Sequence, residues 1–345
     1  MKEPIKTCKE AHILPVIVTG DHSLTAKAVA KELGLRVEDE NIVEGKDLEK
    51  INKEKLKEIS IFARVEPVHK SEIVSFFREK GEVVAMTGDG VNDAPALRRA
   101  DIGVALGSGS EVAKEASDLV LLNDSFEIIV EAVREGRRIL DNVRKTILFM
   151  ITECFTEILI VLGAFLMKLP LPVLPIQVLW KNLVEGSPQG ISFAFEPEEK
   201  GLMQRKPEKL GMPLLTKEMV YLFFFGGILT DIILFLMFWF LYNQGLPIEK
   251  LRTFTFAGFA VGSFFYAFSC KNFRKNIWEY NLLSNKILNL TLAFGTILLI
   301  LSIYFPPFQF FLKTVSLGIY EWGFLILFGF INLFLFELVK FLLKK

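Results

Sequence analysis

The sequence is poor in cysteine and lacks an excess of either charge. Its three cysteines, Cys8, Cys154 and Cys270, lie far apart and form neither a disulfide framework nor a Cys-x-x-Cys metal motif. Basic and acidic residues number 40 each, so the formal net charge is zero and gives no reason to expect a nucleic-acid partner. The first residues are charged and do not form a secretory signal pattern.

Apolar residues, in contrast, are abundant and concentrated in one part of the chain. They make up 51% of the 345 residues, and 33 residues are phenylalanine. Residues 1–145 are rich in lysine, glutamate and aspartate, whereas residues 146–345 contain long uncharged runs. This division predicts a soluble domain followed by a membrane domain.

Strand and helix patterns alternate through the soluble part. Apolar strand patterns lie at residues 13–18, 61–64, 83–88, 101–105 and 119–122. Their alternation with helical stretches predicts an α/β doubly wound parallel sheet, with ligands at the carboxyl ends of the strands. The charged segment 35–58 is predicted to be a surface excursion without a site. From Phe126 one continuous helical pattern leads into the membrane part.

The most informative stretch runs from Ala85 to Leu97 and reads Ala-Met-Thr-Gly-Asp-Gly-Val-Asn-Asp-Ala-Pro-Ala-Leu. Asp89 and Asp93 stand four residues apart, just past the end of a buried strand. Carboxylates in such a place, with small residues around them, suit a hard cation such as magnesium held beside a phosphate. A glycine-rich turn with capping aspartates would explain an isolated Gly-Asp-Gly, but not the whole stretch.

Two weaker signals lie at the ends of other strands. Thr19 and Gly20 place a hydroxyl and free backbone N–H groups where an anion can sit at a helix start. Lys70 stands in the first turn of a helix, where the helix dipole disfavours a cation. It is either a solvated surface charge or a group that reaches a phosphoryl oxygen at the sheet edge.

By apolar length we predict an all-α membrane domain of six spans, at about residues 146–167, 173–195, 218–242, 253–270, 287–305 and 322–340. Glycine and proline at Gly186, Pro188 and Gly190 break the second span. The loops after the second and fourth spans and the tail are richer in lysine and arginine than the opposite loops. This excess predicts that the soluble domain and the carboxyl terminus are cytoplasmic.

Polar residues inside the first two spans mark a candidate ion path. Glu153 and Glu157 share a face of the first span, with Thr156 beside them, and Asn182 and Glu185 precede the break in the second. Carboxylates and the carbonyls of a broken helix can bind a dehydrated cation. A buried membrane carboxylate is costly, so function is the default hypothesis.

Four of the membrane charges have alternatives to a role as ion ligands. Glu153 either joins the path or lies near the cytoplasmic interface. Lys181 either pairs with Glu185, four residues later on the same helix face, or turns away toward an interface. An ammonium that stays in the path would lower its negative charge and could exclude a divalent ion. Asp231 and Glu337 fit inter-helix hydrogen bonds or interfacial positions better than an ion site.

The stretch from Ala85 to Leu97 resembles the hinge signature of P-type cation-transporting ATPases. The whole chain is similar to the carboxyl-terminal half of a pump of the calcium, sodium-potassium and proton branch. The resemblance implies a haloacid-dehalogenase-like phosphorylation domain with a stalk helix over residues 1–145, and a cation-transport domain over 146–345. It also implies ATP-driven transport of a cation across the plasma membrane, with Mg²⁺ and ATP as cofactors.

The resemblance also assigns roles to residues. Those at positions that contact or neutralise the aspartyl phosphate, or that hold magnesium, are Thr19, Gly20, Asp21, Lys70, Asp89, Asn92 and Asp93. Asp89 and Asp93 are the implied magnesium residues of this group. In the membrane, Glu157 and Asn182 match cation-ligand positions on the fifth and sixth helices, and Glu185 is a neighbouring candidate, with Glu153, Thr156 and Lys181 as further ones.

Departures from the family pattern leave the transported ion open. Cys154 and Gly186 stand where calcium pumps carry an asparagine and an aspartate, and Lys181 adds a positive charge. Calcium specificity therefore does not follow from the resemblance. The sequence has no Cys-Pro-Cys membrane motif, which argues against the heavy-metal branch.

The Asp-Lys-Thr-Gly-Thr motif that carries the family's phosphorylated aspartate does not occur in the sequence. The nucleotide-binding domain, the actuator loop and the first four membrane helices are also not found. We therefore expect an incomplete phosphorylation domain that forms no phosphoenzyme alone. The amino-terminal half would be a separate chain or lost by truncation. The alternatives are a non-catalytic membrane protein that assembles with or regulates an intact pump, and a membrane-tethered phosphatase.

Overall fold

The computed structural model describes residues 2–35, 37–51, 53–208 and 211–344. The chain divides into two compact units. The first unit comprises Met1–Arg137 and Glu199–Met212, and the second comprises Arg138–Glu198 and Pro213–Lys345. The first unit holds all the strands of the described residues, and the second is helical.

The first unit contains two three-stranded parallel sheets. Their strands are β1 (Ile17–Val18), β2 (Ile42–Glu44), β3 (Ile61–Ala63), β4 (Ala85–Gly88), β5 (Ile102–Leu106) and β6 (Leu119–Leu121). The sheet orders are β1-β3-β2 and β4-β5-β6. Ile17 and Ile42 both lie opposite Ile61 in the first sheet, and Ala85 lies opposite Ile102 in the second. The predicted parallel α/β architecture is confirmed.

The prediction that residues 35–58 form only a surface excursion is wrong. They contain β2, which pairs in parallel with β3 in the first sheet. The strand escapes a reading of the sequence because its apolar part is only Ile42 and Val43, set among charged residues. Sheet formation here depends on pairing with the buried strand β3 rather than on local pattern.

One helix precedes the strands of the first unit, and four more alternate with them. They are α1 (Lys2–Glu10), α2 (Ser23–Glu32), α3 (Pro67–Glu79), α4 (Ala94–Arg99) and α5 (Glu111–Glu115). Pro67 is tolerated at the first position of α3 because the first N–H groups of a helix have no partner within it. Phe62, Ile73 and Phe77 belong to one hydrophobic cluster with Val18, which is part of β1, and Val84, which precedes β4.

A single helix, α6, runs from Phe126 to Leu166 and contains 41 residues. At 1.5 Å per residue it is about 60 Å long. It begins in the first unit and continues into the second, whose first residue is Arg138. The predicted continuous helix from Phe126 into the first membrane span is confirmed.

The second unit is built from helices throughout. The helices that follow α6 are α7 (Pro175–Trp180), α8 (Ser187–Ser192), α9 (Lys217–Tyr221), α10 (Leu229–Asn243), α11 (Ile248–Cys270), α12 (Lys286–Tyr304), α13 (Pro306–Leu312) and α14 (Ile319–Leu343). Five stretches of the described residues are long and apolar enough to cross a membrane: Phe126–Leu166, Lys217–Asn243, Ile248–Cys270, Lys286–Tyr304 and Ile319–Leu343. They correspond to five of the six predicted spans.

The other predicted span, at residues 173–195, is an interrupted helix. A π-helical turn at Lys181–Gly186 separates α7 from α8, and a 3₁₀ turn at Phe193–Phe195 ends the segment. The interruption therefore begins before the predicted glycine and proline break. Ser187 stabilises the turn because its Oγ donates a hydrogen bond to the Asn182 carbonyl at 2.7 Å.

Helix α11 is the central helix of the second unit. Within its apolar stretch 83% of the residues are buried, against less than half in each of the other four long helices. Glycines let its neighbours approach closely. A Cβ added at Gly258 would lie 2.6 Å from Leu234 of α10, and one added at Gly329 of α14 would lie 2.5 Å from Phe265. Small residues at such contacts are typical of packed membrane helices.

Candidate functional sites

The first candidate site lies just past the end of β4. The strand ends at Gly88, a 3₁₀ turn covers Val91–Asp93, and α4 follows at once. A Cβ added at Gly88 would lie 2.5 Å from Asp93 Cβ, so a side chain here would displace the aspartate. The glycine therefore allows the carboxylate to pack back against the strand end.

Both oxygens of Asp93 have partners. Its Oδ1 lies 2.5 Å from Lys70 Nζ. Its Oδ2 accepts hydrogen bonds from the N–H groups of Asp89 at 3.2 Å and Gly90 at 3.3 Å. Only 20% of the Lys70 side chain is exposed, so this lysine is not a freely solvated surface charge. The Lys70–Asp93 pair fixes the loop in which Asp89 stands.

Asp89 and Asn92 present their side chains outward. Both residues are exposed. The backbone of Asp89 is held in place because its carbonyl accepts a hydrogen bond from the N–H of Ser110 at 2.8 Å. This site therefore combines a fixed backbone, an inward ion pair and an outward carboxylate.

The donor set fits magnesium only in a limited way. Mg²⁺ usually takes one or two protein carboxylates and completes its shell with water and phosphate oxygens. Asp89 can supply such a carboxylate, whereas Asp93 is committed to Lys70 and two N–H groups. Nowhere in the described residues do three histidine, cysteine, aspartate or glutamate side chains gather to hold a metal ion.

Thr19, Gly20 and Asp21 form a separate turn after β1. Thr19 Oγ1 donates to Asp21 Oδ2 at 3.0 Å and accepts from the Asp21 N–H at 3.1 Å. The backbone of Thr19 bonds to Phe62 and Val65. Across the described residues no hydrogen bond or ion pair joins this turn to Lys70 or Asp93, so the structure does not bring the two predicted groups into contact.

The second candidate site lies inside the helical unit and centres on Lys181. Only 1% of this lysine side chain is exposed, and its ammonium forms an ion pair with Glu153 of α6. A second carboxylate of the same helix, Glu157, has Oε1 3.7 Å from Lys181 Nζ. The ammonium therefore faces two residues of the first predicted span.

The predicted pairing of Lys181 with Glu185 is not what the structure shows, and neither is the turn toward an interface. Side chains on a helix lean toward its amino terminus. A lysine placed before a glutamate therefore leans away from it, which makes this order the weaker one for an i,i+4 pair. Glu153, which comes from a neighbouring helix, takes the ammonium instead.

Glu153 is buried and doubly held rather than lying at an interface. Besides Lys181, it accepts a hydrogen bond of 2.5 Å from the Tyr266 hydroxyl of α11 through Oε1. Glu157 and Asn182 also meet, since Asn182 Nδ2 donates to Glu157 Oε2 at 3.1 Å. The two positions that the sequence marks as ion-ligand candidates thus contact one another.

Glu185 and Asp231 retain oxygens without partners. Both residues are buried. Among the described residues, neither Oε atom of Glu185 has a hydrogen-bond partner, and nor does Oδ2 of Asp231. Asp231 Oδ1 accepts from Thr156 Oγ1 at 2.7 Å, which is the inter-helix hydrogen bond expected for this residue. Thr156 thus holds Asp231 beside the path.

Glu337 plays a structural part elsewhere in the helical unit. Its Oε1 accepts from Ser269 of α11 at 2.6 Å and lies 2.7 Å from Lys340 Nζ. Its Oε2 accepts from Asn276 Nδ2 at 2.8 Å. The expected inter-helix hydrogen bond is confirmed, and both oxygens of this buried carboxylate are satisfied.

Sequence reasoning missed Tyr266 as a partner of the path and gave Asp231 no place in it. Tyr266 gives no signal in a sequence so rich in aromatic residues, where its ring also packs against Phe149 and Phe336. Asp231 is an acidic residue within a predicted span, and the free-energy cost of burying a carboxylate in a membrane is the signal that identifies it as a candidate for the path.

Comparisons with known proteins agree on both halves of the chain. Residues 170–342 match the family described as Cation transporting ATPase, C-terminus, and residues 2–101 match haloacid dehalogenase-like hydrolase. The chain is 37% identical to a Calcium-transporting ATPase of Bacillus subtilis (strain 168), over 93% of this chain and 37% of that protein.

Two further relatives have the same pattern of coverage. The Probable cation-transporting ATPase F of Mycobacterium tuberculosis (strain ATCC 25618 / H37Rv) is 36% identical over 92% of this chain and 36% of that protein. The Calcium-transporting ATPase type 2C member 1 of Bos taurus is 33% identical over 94% of this chain and 35% of that protein. The chain thus spans well under half the length of these relatives.

Proposed function

The chain belongs to the cation-transporting ATPase family, and we propose that it supplies the phosphate-handling and cation-translocating parts of an ATP-driven cation pump. It is a carboxyl-terminal part, with a haloacid-dehalogenase-like region and a multi-pass membrane region. Phosphoryl transfer in the first unit would be coupled to movement of a cation through the second.

The observation that carries the proposal is the Lys70–Asp93 pair behind Asp89. The pair lies at the carboxyl end of a parallel strand, where ligands bind in α/β folds. It holds an exposed carboxylate and the exposed Asn92 amide at one sheet edge. Phosphoryl transfer depends mainly on positioning and on neutralising charge, and this arrangement supplies a fixed cation and a fixed metal ligand.

Magnesium and ATP are the cofactors that this function requires. Asp89 would hold Mg²⁺ through its exposed carboxylate, and the ion would neutralise the negative charge of the phosphoryl group when bound. Asp93 positions the Asp89 backbone, and Lys70 adds a positive charge at the same edge. Thr19 and Asp21 hold each other in the turn after β1, and Gly20 between them would offer its backbone N–H to the phosphate.

The free edges of β1 and β4 support a partner strand. Within the described residues, each of these strands has a neighbour on one side only, as do β2 and β6 at the opposite edges of the two sheets. Parallel sheets are normally buried, yet Ala85 and Thr87 of β4 are exposed and β1 is only half-buried. We propose that a further segment, from the same polypeptide or another chain, pairs here and carries the phosphorylated aspartate.

In the membrane, the cation would pass the cluster of Glu157, Asn182, Glu185 and Asp231. Their unpartnered oxygens are buried, and the Asn182–Glu157 contact is partly buried, in a unit with helices long and apolar enough to span a bilayer. We propose that the first unit lies in the cytoplasm, because the loops on that side are the more basic ones. The plasma membrane is the membrane that the family resemblance implies.

A non-catalytic regulator of an intact pump is the less favoured alternative. Such a protein would have no need of the Lys70–Asp93 pair or of the exposed Asp89. A membrane-tethered phosphatase is disfavoured because the sequence offers no Asp-Lys-Thr-Gly-Thr nucleophile.

The test is a reconstitution. The chain would be combined in lipid vesicles with an amino-terminal segment of a related pump that contains the Asp-Lys-Thr-Gly-Thr motif, and cation-stimulated ATP hydrolysis would be measured. We expect activity that Asp89→Asn lowers by at least about 100-fold, since a lost charge-stabilising group costs on this order. Asp39→Asn, a change at an exposed aspartate paired with Lys27, is the matched control and should leave activity unchanged. Full activity of Asp89→Asn would rule out the assigned role.

A further inference from the structure

The buried charges of the helical unit are unevenly matched. Four carboxylates line the candidate path: those of Glu153, Glu185 and Asp231 are buried, and that of Glu157 is partly buried. In the part of the chain that the structure describes, Lys181 is the one cationic side chain that pairs with any of them. A buried charge is costly unless it is compensated, so the single ammonium has a large effect on what else can bind.

Lys181 is held in place from three sides. It pairs with Glu153, lies 3.7 Å from Glu157, and stands over the ring of Phe259 at 5.9 Å. Glu153 is in turn fixed by the Tyr266 hydroxyl. Glu153 thus contacts both Lys181 and Tyr266. These contacts hold the ammonium within the site.

Within the residues that the structure describes, several carboxylate oxygens of the cluster have no hydrogen-bond partner, which indicates a bound ion. Glu185 has two unpartnered oxygens, and Glu157 and Asp231 have one each without a hydrogen bond among the described residues. Glu185 is only 1% exposed, so its carboxylate is shielded from bulk solvent. An unpartnered buried carboxylate oxygen requires a proton or a cation.

We infer that Lys181 is a built-in counter-charge that sets the path's selectivity toward singly charged cations and against divalent ones. This inference rests on the proposed cation-transport function and names the class of ion. The Coulomb energy is proportional to the product of the charges, so the ammonium repels a divalent ion twice as strongly as a monovalent one. It also occupies Glu153 and Glu157, whereas a divalent ion such as Ca²⁺ needs six to eight oxygens.

The experiment measures equilibrium binding of radioactive Ca²⁺ and Rb⁺ to the full chain in lipid nanodiscs. Lys181→Gln removes the charge and keeps a hydrogen-bond donor for Glu153, and Lys181→Met removes both. Because the repulsion doubles for a divalent ion, the gain in Ca²⁺ affinity should be the square of the gain in Rb⁺ affinity. We expect about tenfold for Rb⁺ and about 100-fold for Ca²⁺.

Two matched variants keep the test specific. Lys181→Arg retains the charge and should keep the native selectivity. Lys340→Gln removes another buried lysine of the same unit, whose partner Glu337 keeps its bonds to Ser269 and Asn276. It should also leave the selectivity unchanged. Thermal unfolding of each variant in nanodiscs identifies any that fails to fold, and the Gln and Met variants at position 181 serve as substitutes for each other.

The outcomes separate this inference from the proposed function. Ca²⁺ binding gained in Lys181→Gln or Lys181→Met, but not in Lys181→Arg or Lys340→Gln, supports the counter-charge. The inference alone is overturned if native chain binds Ca²⁺ as tightly as Lys181→Gln does, or if Lys340→Gln gains as much. If neither ion binds to any folded form, the cation path itself is rejected and the inference with it.

Discussion

Each unit of the molecule contains a buried or half-buried lysine paired with a carboxylate, and the two pairs differ in how they are completed. In the first unit, Asp93 has every oxygen satisfied by Lys70 and backbone N–H groups. In the second, Lys181 satisfies part of a larger acidic cluster and leaves buried oxygens without partners. The Lys70–Asp93 pair is complete and leaves the neighbouring Asp89 and Asn92 exposed. Over the described part of the chain, the acidic cluster around Lys181 still has carboxylate oxygens without partners, which require a proton or a cation.

Breaking the pair of the second unit should have the largest effect on stability. Glu153→Leu leaves the Lys181 ammonium without its main partner and leaves the Tyr266 hydroxyl only the longer bond of 3.3 Å to the Phe149 carbonyl. We expect a loss of about 3 to 5 kcal/mol in unfolding free energy, because an uncompensated buried charge remains. Thermal unfolding in detergent micelles measures it.

The double variant Glu153→Leu, Lys181→Met is the control for that prediction. Removing both charges leaves no unpaired ion between these two residues, so part of the lost stability should return. A double variant that is less stable than the single one would contradict the claim that the uncompensated charge causes the loss.

The pair of the first unit should be the more tolerant of the two. Asp93→Asn keeps the shape and one carbonyl acceptor for the Asp89 and Gly90 N–H groups but loses the charge facing Lys70. We expect a loss of about 1 to 3 kcal/mol, because the lysine is partly exposed and water can compensate it. The same thermal unfolding assay compares it directly with Glu153→Leu. A larger loss for Asp93→Asn than for Glu153→Leu would contradict the expected order of the two pairs.

Substituting Gly88, which packs closely against Asp93, should lower the unfolding free energy by a comparable amount through steric overlap alone. Gly88→Ala places a Cβ 2.5 Å from Asp93 Cβ and should cost about 1 to 3 kcal/mol as the carboxylate is displaced. Gly20→Ala is the matched control, since its Cβ would meet only Val65 O at 3.7 Å, an ordinary contact. Equal unfolding temperatures for the two variants would show that the packing at Gly88 is loose.

The smallest effect belongs to a surface pair, which serves as the reference for both buried ones. The hydrogen bond and charge of Lys27 lower the pKa of Asp39 below its ordinary value of 3.8. The pair therefore stabilises the fold above that pH and is lost as the pH falls below it. Asp39→Asn should leave the unfolding temperature at pH 7 almost unchanged, because exposed pairs contribute little. A clear drop at pH 7 would show that this pair is not the simple surface contact described.

The sequence predicted those parts of the structure that local pattern controls. Strands β1, β3, β4, β5 and β6 follow apolar runs that end in glycine or charged turns, and the long helix α6 follows from an uninterrupted pattern. The strand β2 was missed because its stability comes from pairing with β3. The predicted break lies at Gly186, Pro188 and Gly190, whereas the π-helical turn begins earlier, at Lys181, because its extra residue per turn leaves no mark in composition.

The candidate sites show the same limit. Periodicity places Glu153 and Glu157 on one face of a helix, and that is sufficient to group them. It cannot show that Lys181 faces these two residues rather than Glu185, since partners from different helices are set by tertiary packing. The Lys70–Asp93 contact likewise joins residues 23 positions apart in sequence, and only the packed sheet edge reveals it.

The π-helical turn at Lys181–Gly186 has a consequence for how such a path can change. A π turn contains one residue more than the α-helical turn it replaces. Each residue of a π turn rotates the chain by less than the ~100° of an α-helix, so the turn absorbs the extra residue and leaves α7 and α8 facing nearly as they would in a continuous helix. Deleting a single codon within the turn would therefore keep the flanking helices in place and change only which polar residues of the turn itself, from Lys181 to Glu185, face the path. A one-residue change in length, without any substitution, would be enough to alter the charges of the turn while the helices around it stay fixed.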